Sequence, residues 1–386
     1  MGNKMKIMIF NTLYFPYSIG GAEVSVQLLA EELALQGHIV RVVSLTEGNE
    51  REVTMLNGVE IIKLPLSNVY WPFSKENKSF LKKAIWHLFD YLNVKMYFKV
   101  LKEIKAFGPD IVHTNNISGF SVLLWKAVKK CKVRLIHTSR DYYLFHPNST
   151  LFSRGQTMSI KDKSIIFWSA IKKIYGRNVD EYVGISQFIQ KQHHDNAFFK
   201  KAGHHVIYNA VEKIESDKVI DIRRIGFIGR LSTEKGFDIF CNVAGQYKRK
   251  YSFIAAGNFV NNEDQQSLIE LANKSDVTLK GFMKLADFLN QVDAVVLPVR
   301  WNEPFGRTVV ECVLADKLVL TNPVGAMTEL SILLPNIIIT DNIERDFDDK
   351  IATAEIKAID SSLIERFKPR EIADQYLRVY NGKSGA

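Results

Sequence analysis

Two glutamates, Glu303 and Glu311, stand eight residues apart around the string Pro304-Phe305-Gly306-Arg307-Thr308. The apolar run 294–297, closed by Pro298, predicts a buried strand, and residues 300–303 form a polar loop after it. Apolar spacing over 305–314 predicts a helix beginning near Phe305, and the apolar run 318–321 completes a βαβ unit. In that helix the backbone N–H groups of Phe305, Gly306, Arg307 and Thr308 would precede the hydrogen-bond ladder. They would meet the positive end of the helix dipole, which suits an anion and above all a phosphate. Gly306 removes the side chain that would hold a ligand off the backbone. A rise of ~1.5 Å per residue places Glu311 roughly 8 Å along the axis from those amides. The two carboxylates can therefore bond hydroxyls on opposite sides of a diphosphate, a layout that suits a nucleoside diphosphate sugar.

A second polar group precedes this one. The run 224–228 reads as a strand, Gly229 makes the turn, and Arg230 and Lys235 leave the following loop five residues apart. Ser232 or Thr233 can cap a helix over 237–243. Two cations on a strand-to-helix loop neutralise a diphosphate, and arginine can do so through two parallel bonds. Further apolar runs at 252–257 and 277–281 supply neighbouring parallel strands, whose C-terminal ends line the ligand crevice of open α/β sheets. Taken singly, each of these charges could equally be a solvated surface residue.

Taken together, the string around Glu303-Pro304-Phe305-Gly306 and Glu311 resembles the donor-binding signature of retaining glycosyltransferases of family 4. Gly229-Arg230-Leu231, with Lys235-Gly236 after three residues, resembles that family's second signature. The resemblance implies the GT-B arrangement, an α/β fold of two Rossmann-like domains facing across a cleft, with a C-terminal helix crossing back to the N-terminal domain. It implies that Glu303, Arg230 and Lys235 serve catalysis. The transferred sugar would be held by Glu303, the ribose by Glu311 and the base by backbone at Gly257 and Gly281. The resemblance also implies that Gly20 and Gly21, a glycine pair after the first strand, are site residues facing the donor phosphates and acceptor. Two departures stand out. Arg140 occupies the place of a family histidine, ahead of Asp141, Tyr142 and Tyr143, and cannot act as a base near neutral pH. It leaves Arg140 and Asp141 as a charge pair for donor or acceptor contact. Gly325 stands where the family usually has two adjacent glycines, followed by Glu329.

At 386 residues and 46% hydrophobic content, with a mean hydropathy of −0.07, the chain can form two cores. No apolar run reaches 18 residues, and the short apolar stretch after Met5 reads as a first strand over 6–11 rather than a signal peptide. A helix over 22–35 and a strand over 39–45 follow. Further strands are predicted at 59–64, 110–113, 133–137 and 181–185, with Ser186 capping the next helix. The odd, scattered cysteines Cys131, Cys241 and Cys312 read as free buried thiols, which points to a reducing cytosol. The pairs His193-His194 and His204-His205 lack metal-site spacing, so neither metal nor cofactor is expected. A net charge of +9 and pI near 9.2 fit nucleic acid, anionic lipid or phosphorylated substrates, but no nucleic-acid-binding signature appears.

The segment 70–107 interleaves aromatic residues with lysines. Either the aromatics are core and the lysines solvated, or the segment meets a membrane interface. The boundary is expected near 211–222, separating an acceptor-binding domain (1–212, with 364–386 returning to it) from a donor-binding domain (213–363). A helical stretch is expected over 363–380. The combined expectation is a metal-independent, retaining hexosyltransferase. It would use a UDP-sugar, or else a GDP-sugar, on a glycan, glycolipid or lipid-linked acceptor in cell-surface polysaccharide synthesis. It would be cytoplasmic, or peripheral on the inner face of the plasma membrane. An epimerase on the same architecture and a non-catalytic nucleotide-sugar binder are the alternatives.

Overall fold

Strand formation follows the apolar runs closely. The computed structural model describes residues 4–17, 20–74, 78–217, 219, 221–259 and 264–382. Parts of the 70–107 segment (75–77), of the expected boundary (218 and 220) and of the C-terminal return (383–386) lie outside them. Two units are distinguished: one of residues 1–150, 159–210 and 369–386, the other of 151–158 and 211–368.

The first unit opens with β1 (Lys6–Phe10), α1 (Gly21–Leu35), β2 (Ile39–Thr46), β3 (Glu52–Leu56) and β4 (Val59–Pro65). Next come α2 (Phe80–Tyr91), α3 (Val94–Phe107), β5 (Ile111–Thr114), α4 (Leu123–Lys130) and β6 (Arg134–Ser139). The hairpin β7 (Phe152–Ser153) and β8 (Gln156–Thr157) belongs to the second unit. The first unit resumes with α5 (Lys163–Tyr175), β9 (Glu181–Gly184), α6 (Gln187–Asp195) and β10 (Gly203–Val206). Its sheet runs β10-β9-β6-β5-β1-β2-β4-β3, parallel except for β3. The order reverses between β1 and β5, so the crevice for a ligand opens at their C-terminal ends. The β3–β4 hairpin went unpredicted. Asn57 and Gly58 both take positive φ (47° and 80°), the requirement of a tight two-residue hairpin turn.

The second unit contains β11 (Arg224–Ile228), α7 (Phe237–Tyr247), β12 (Ser252–Ala256), α8 (Gln265–Lys274) and β13 (Val277–Leu279). It continues with α9 (Leu285–Leu289), β14 (Ala294–Leu297), α10 (Arg307–Leu314), β15 (Leu318–Thr321) and α11 (Met327–Leu333). Strand β16 (Ile337–Ile339), α12 (Ile343–Ala352) and α13 (Ser361–Glu365) complete it. Its six parallel strands run β13-β12-β11-β14-β15-β16, the Rossmann order, with the reversal between β11 and β14. All four residues of β14 and of β15 are buried, as central strands covered on both faces must be.

The helical stretch expected over 363–380 is broken: α13 ends at Glu365 and α14 (Pro369–Tyr380) starts afresh at a proline, which suits a first helical position. Helix α14 packs on the first unit beside α1, burying Ile372, Tyr376, Val379 and Tyr380 in its core. Polar contacts fix its position. The Tyr380 hydroxyl lies 2.7 Å from His113 Nδ1, and His113 Nε2 lies 2.8 Å from Thr138 Oγ1. That hydroxyl in turn lies 3.1 Å from Tyr376 Oη. Burial holds the His113 imidazole well below its usual pKa, so it is neutral and needs both partners. Tyr380→Phe is therefore expected to lower unfolding free energy by about 1–3 kcal/mol, the cost of a stranded buried nitrogen. Denaturant unfolding checks this, and a change indistinguishable from zero would mean that apolar packing alone seats the helix.

Candidate active site

Four cations on the loops after β11 and β14 and on α10 are each paired with a carboxylate. Lys235 Nζ donates to Glu303 Oε2 at 2.6 Å, joining the loop after β11 to the loop after β14. The ammonium also lies 4.9 Å from the centre of the Trp301 ring, a cation–π contact. Arg230 pairs with Glu234 at 2.6 Å and Arg300 with Asp238 at 2.5 Å. Arg307 Nε donates to Glu311 Oε1 at 2.7 Å, one helical turn apart, with both side chains largely covered. Burial pushes the Glu311 carboxyl above the ordinary glutamate range, and Arg307 opposes that shift.

Three glycines allow these loops to meet. At Gly236 φ is 75°, and a Cβ would fall 1.8 Å from the Pro298 carbonyl oxygen. Gly325, at φ 58°, sits against the backbone of the Glu303 loop: a Cβ there would lie 2.2 Å from the Glu303 oxygen. The neighbouring Ala326 N–H donates to that same oxygen at 2.9 Å. Gly257, at φ 144°, would place a Cβ 1.8 Å from the Gly229 oxygen, and its N–H donates to the Gly281 carbonyl at 2.8 Å. Gly257 and Gly281 are thus brought together on one rim, with open space where a Gly281 side chain would stand.

The expected helix start is corrected. Helix α10 begins at Arg307, two residues later than the apolar pattern indicates, because Gly306 adopts φ 86° and ψ 50°, a left-handed conformation outside the helix. The first bond of the ladder runs from the Val310 N–H to the Gly306 carbonyl. The amides of Arg307, Thr308 and Val309 therefore precede it, and Phe305 is instead a buried side chain whose ring lies 6.4 Å from that of Phe367. The expected Ser232 or Thr233 cap is also displaced. Thr233–Lys235 forms a 3₁₀ turn, and Gly236 is the residue before α7.

In the first unit, Gly20 precedes α1 and Gly21 opens it. The Gly20 N–H donates to Glu23 Oε2 at 2.9 Å, so a carboxylate of the helix's own first turn sits at this terminus. Arg140 follows β6 at the rim of the sheet and is buried. The expected charge pair with Asp141 does not form. Arg140 Nε donates to Asn115 Oδ1 at 2.9 Å and another guanidinium nitrogen to Asn209 Oδ1. Asp141 instead accepts from the Tyr143 N–H at 2.8 Å. The Asn115 and Asn209 amide oxygens thus accept from the guanidinium, and Tyr376 hydrogen-bonds with it as well. Sequence reading also overlooked Asn115, Asn209, Glu234 and Trp301. Trp301 and Glu234 lay inside the quoted loops, whereas the asparagines carry no local signal because they reach Arg140 from other strand ends.

Two Rossmann-like units, one with paired charges at its switch point, define the GT-B class of fold. Solved structures agree: sucrose-phosphate synthase from Thermosynechococcus elongatus has a TM-score of 0.73 at 16% identity, covering 98% of this chain and 99% of that one. HepE from Anabaena, solved with UDP and glucose, has a TM-score of 0.67 at 17% identity, covering 98% and 99%. Residues 19–213 match the model for glycosyltransferase family 4, and residues 222–354 that for glycosyl transferases group 1. The chain belongs to this family and is a group 1 glycosyltransferase. An uncharacterized 42.6 kDa protein in the cps region of Klebsiella pneumoniae is 49% identical over 383 residues, covering 98% of this chain and 100% of that one.

Asp141 gives a pH-dependent readout of the first unit. Burial, the larger influence, pushes its carboxyl up to about 6, above the usual 3.8. Between about pH 4 and 6 the folded chain therefore holds a proton that the unfolded chain has released, and stability falls as pH rises through that window. Asp141→Asn is expected to flatten this fall and to gain stability at pH 7 relative to the parent. Unfolding curves at pH 4.5 and 7 check it; parallel changes in both proteins would contradict it.

Proposed function

We propose that this glycosyltransferase moves a sugar, with retention and without a metal ion, from a nucleoside diphosphate sugar to a glycan or lipid-linked acceptor. A UDP-sugar is the first candidate donor and a GDP-sugar the second. The reaction would serve cell-surface polysaccharide synthesis on the cytoplasmic side, at the inner face of the plasma membrane. The observation that carries the donor reading is the Lys235–Glu303 ion pair beside the start of α10. Support for the polysaccharide comes from the relative in a cps region, and for UDP from the solved HepE complex.

In this reading the diphosphate sits at the Arg307–Val309 amides and draws Lys235 away from Glu303. The released Glu303 carboxylate then accepts hydrogen bonds from the sugar's hydroxyls. Glu311 accepts from the ribose while keeping Arg307 beside it, and the Gly257 and Gly281 rim takes the base through backbone groups. As the sugar–phosphate bond breaks, negative charge grows on the diphosphate, and Lys235, Arg230 and the α10 amides stabilise it. Preorganised donors of this kind are worth several kcal/mol. The acceptor hydroxyl attacks from the face the diphosphate leaves and gives its proton to a departing phosphate oxygen. Arg140, Asp141, Gly20 and Gly21 are proposed to contact the substrates from the first unit.

Glu311→Ala should weaken UDP binding, since the ribose contact exists in ground and transition states alike. Lys235→Ala and Arg230→Ala should lower kcat by more than they raise donor KM. Calorimetry and steady-state kinetics separate the two: unchanged UDP affinity in the first variant, or effects confined to KM in the others, would remove those roles. Activity should persist in a chelator, and its abolition would overturn the metal-free mechanism.

A further inference from the structure

Helices α2 and α5 wear their apolar sides outward. Leu81, Leu88 and Phe89 on α2, and Ile166, Phe167 and Ile174 on α5, are each 54–69% exposed. On each helix they recur seven and eight residues apart, two helical turns, the spacing of a stripe made for burial. The two helices lie side by side. Tyr91 Oη donates to the Phe167 carbonyl at 2.6 Å, and the Tyr91 and Phe167 rings stack at 5.9 Å. The result is a contiguous apolar strip, the kind of surface that marks an interaction site.

The outward roll is fixed from beneath. Helix α2 turns Trp86 and Asp90 into the protein, and α5 turns Ile165, Ser169 and Lys172 inward. Trp86 Nε1 donates to the Tyr70 carbonyl at 3.0 Å. Asp90 accepts from Tyr143 Oη at 2.6 Å and from the Gly119 N–H at 2.7 Å. Lys172 donates to the Tyr143 carbonyl, with its ammonium 3.8 Å from that ring's centre. Rolling either stripe inward would bring Asp90 and Lys172 out of this network, so exposure of the apolar side is built into the fold.

Charge identifies what covers the strip. The only carboxylate in the two helices is Asp90, which is buried, whereas Lys82, Lys83 and Lys163 are exposed. Trp168 stands beside the strip, its ring 5.5 Å from that of Tyr91. A second copy would bring lysines against lysines with no carboxylate from either helix to meet them. We propose that α2 and α5 form a docking surface for an anionic lipid bilayer, with the apolar strip entering the headgroup boundary and the lysines meeting lipid phosphates. No described helix is long and apolar enough to cross a membrane, so this contact is interfacial. The proposal goes beyond the donor chemistry and does not depend on it.

The test is co-sedimentation of the full chain with vesicles of phosphatidylcholine alone or mixed with phosphatidylglycerol. The parent should bind the anionic vesicles at least about tenfold better than the neutral ones, less so as salt rises. Lys82→Glu with Lys83→Glu, and separately Phe89→Ser with Ile166→Ser, should each lower that binding about tenfold or more while circular dichroism stays unchanged. Slow donor hydrolysis without vesicles should be unaffected by either pair. Equal binding to both vesicle types, or binding that neither pair of substitutions reduces, would overturn the proposal. So would a dimer in light scattering that the Phe89/Ile166 pair disrupts, with no vesicle binding by the parent; that outcome assigns the strip to a second copy.

Discussion

The ion pair between Lys235 and Glu303 ties the second unit's site together. It spans the two loops on either side of the point where strand order reverses, one leaving β11 and the other leaving β14. Both side chains are more than three-quarters covered, so the pair is screened less than a surface salt bridge and each partner depends on the other for charge balance. Gly236 permits the first loop to press on Pro298, and Gly325 permits the second to press on the turn before α11. A side chain at either glycine would displace backbone rather than a flexible side-chain tip. The ion pair thus rests on two close backbone approaches as much as on the two charged groups.

The same economy appears around it. Arg230 with Glu234, Arg300 with Asp238 and Arg307 with Glu311 each close a local pair. Such pairs hold the cations in place without a strong net field, and under the proposed function an entering diphosphate would compete with carboxylates already seated. Under the proposed function, that competition would favour ligands that supply hydroxyls for the displaced carboxylates, which a nucleotide sugar does and an isolated phosphate does not. In the first unit the logic differs. Arg140 is oriented by the side-chain oxygens of two neutral asparagines rather than by its sequence neighbour Asp141.

Much of this was legible from residue order because the central strands are buried on both faces and read as unbroken apolar runs. Strand 224–228 fell on β11 residue for residue, and 294–297 on β14. The helix after Glu303 was legible in kind but misplaced in start, since the apolar pattern extends through Phe305 while the conformation of Gly306 excludes it from the helix. The β3–β4 hairpin carried its signal openly in Asn57-Gly58 and was passed over because β3 is almost wholly exposed and lacks an apolar face. Arg140 shows a different limit. Proximity in sequence suggested Asp141 as its partner, whereas successive residues at a strand end point apart and the asparagines arrive from β5 and from beyond β10. In segment 70–107, core and exposed apolar residues share one composition. On α2 the roll set by Asp90 and Trp86 decides which aromatics face out.

The central claim is that Glu303 holds Lys235 until the donor's diphosphate takes it, and then turns to the sugar. The most direct measurement is the affinity of Glu303→Gln for UDP by calorimetry, alongside its transfer rate. Loss of the carboxylate frees Lys235 for phosphate, so UDP should bind as tightly as to the parent or more tightly. Transfer should fall by about a hundredfold or more as the sugar loses its orienting contact. A loss of UDP affinity, with sugar transfer falling only in proportion, would contradict the exchange and make Glu303 a structural support for the loop.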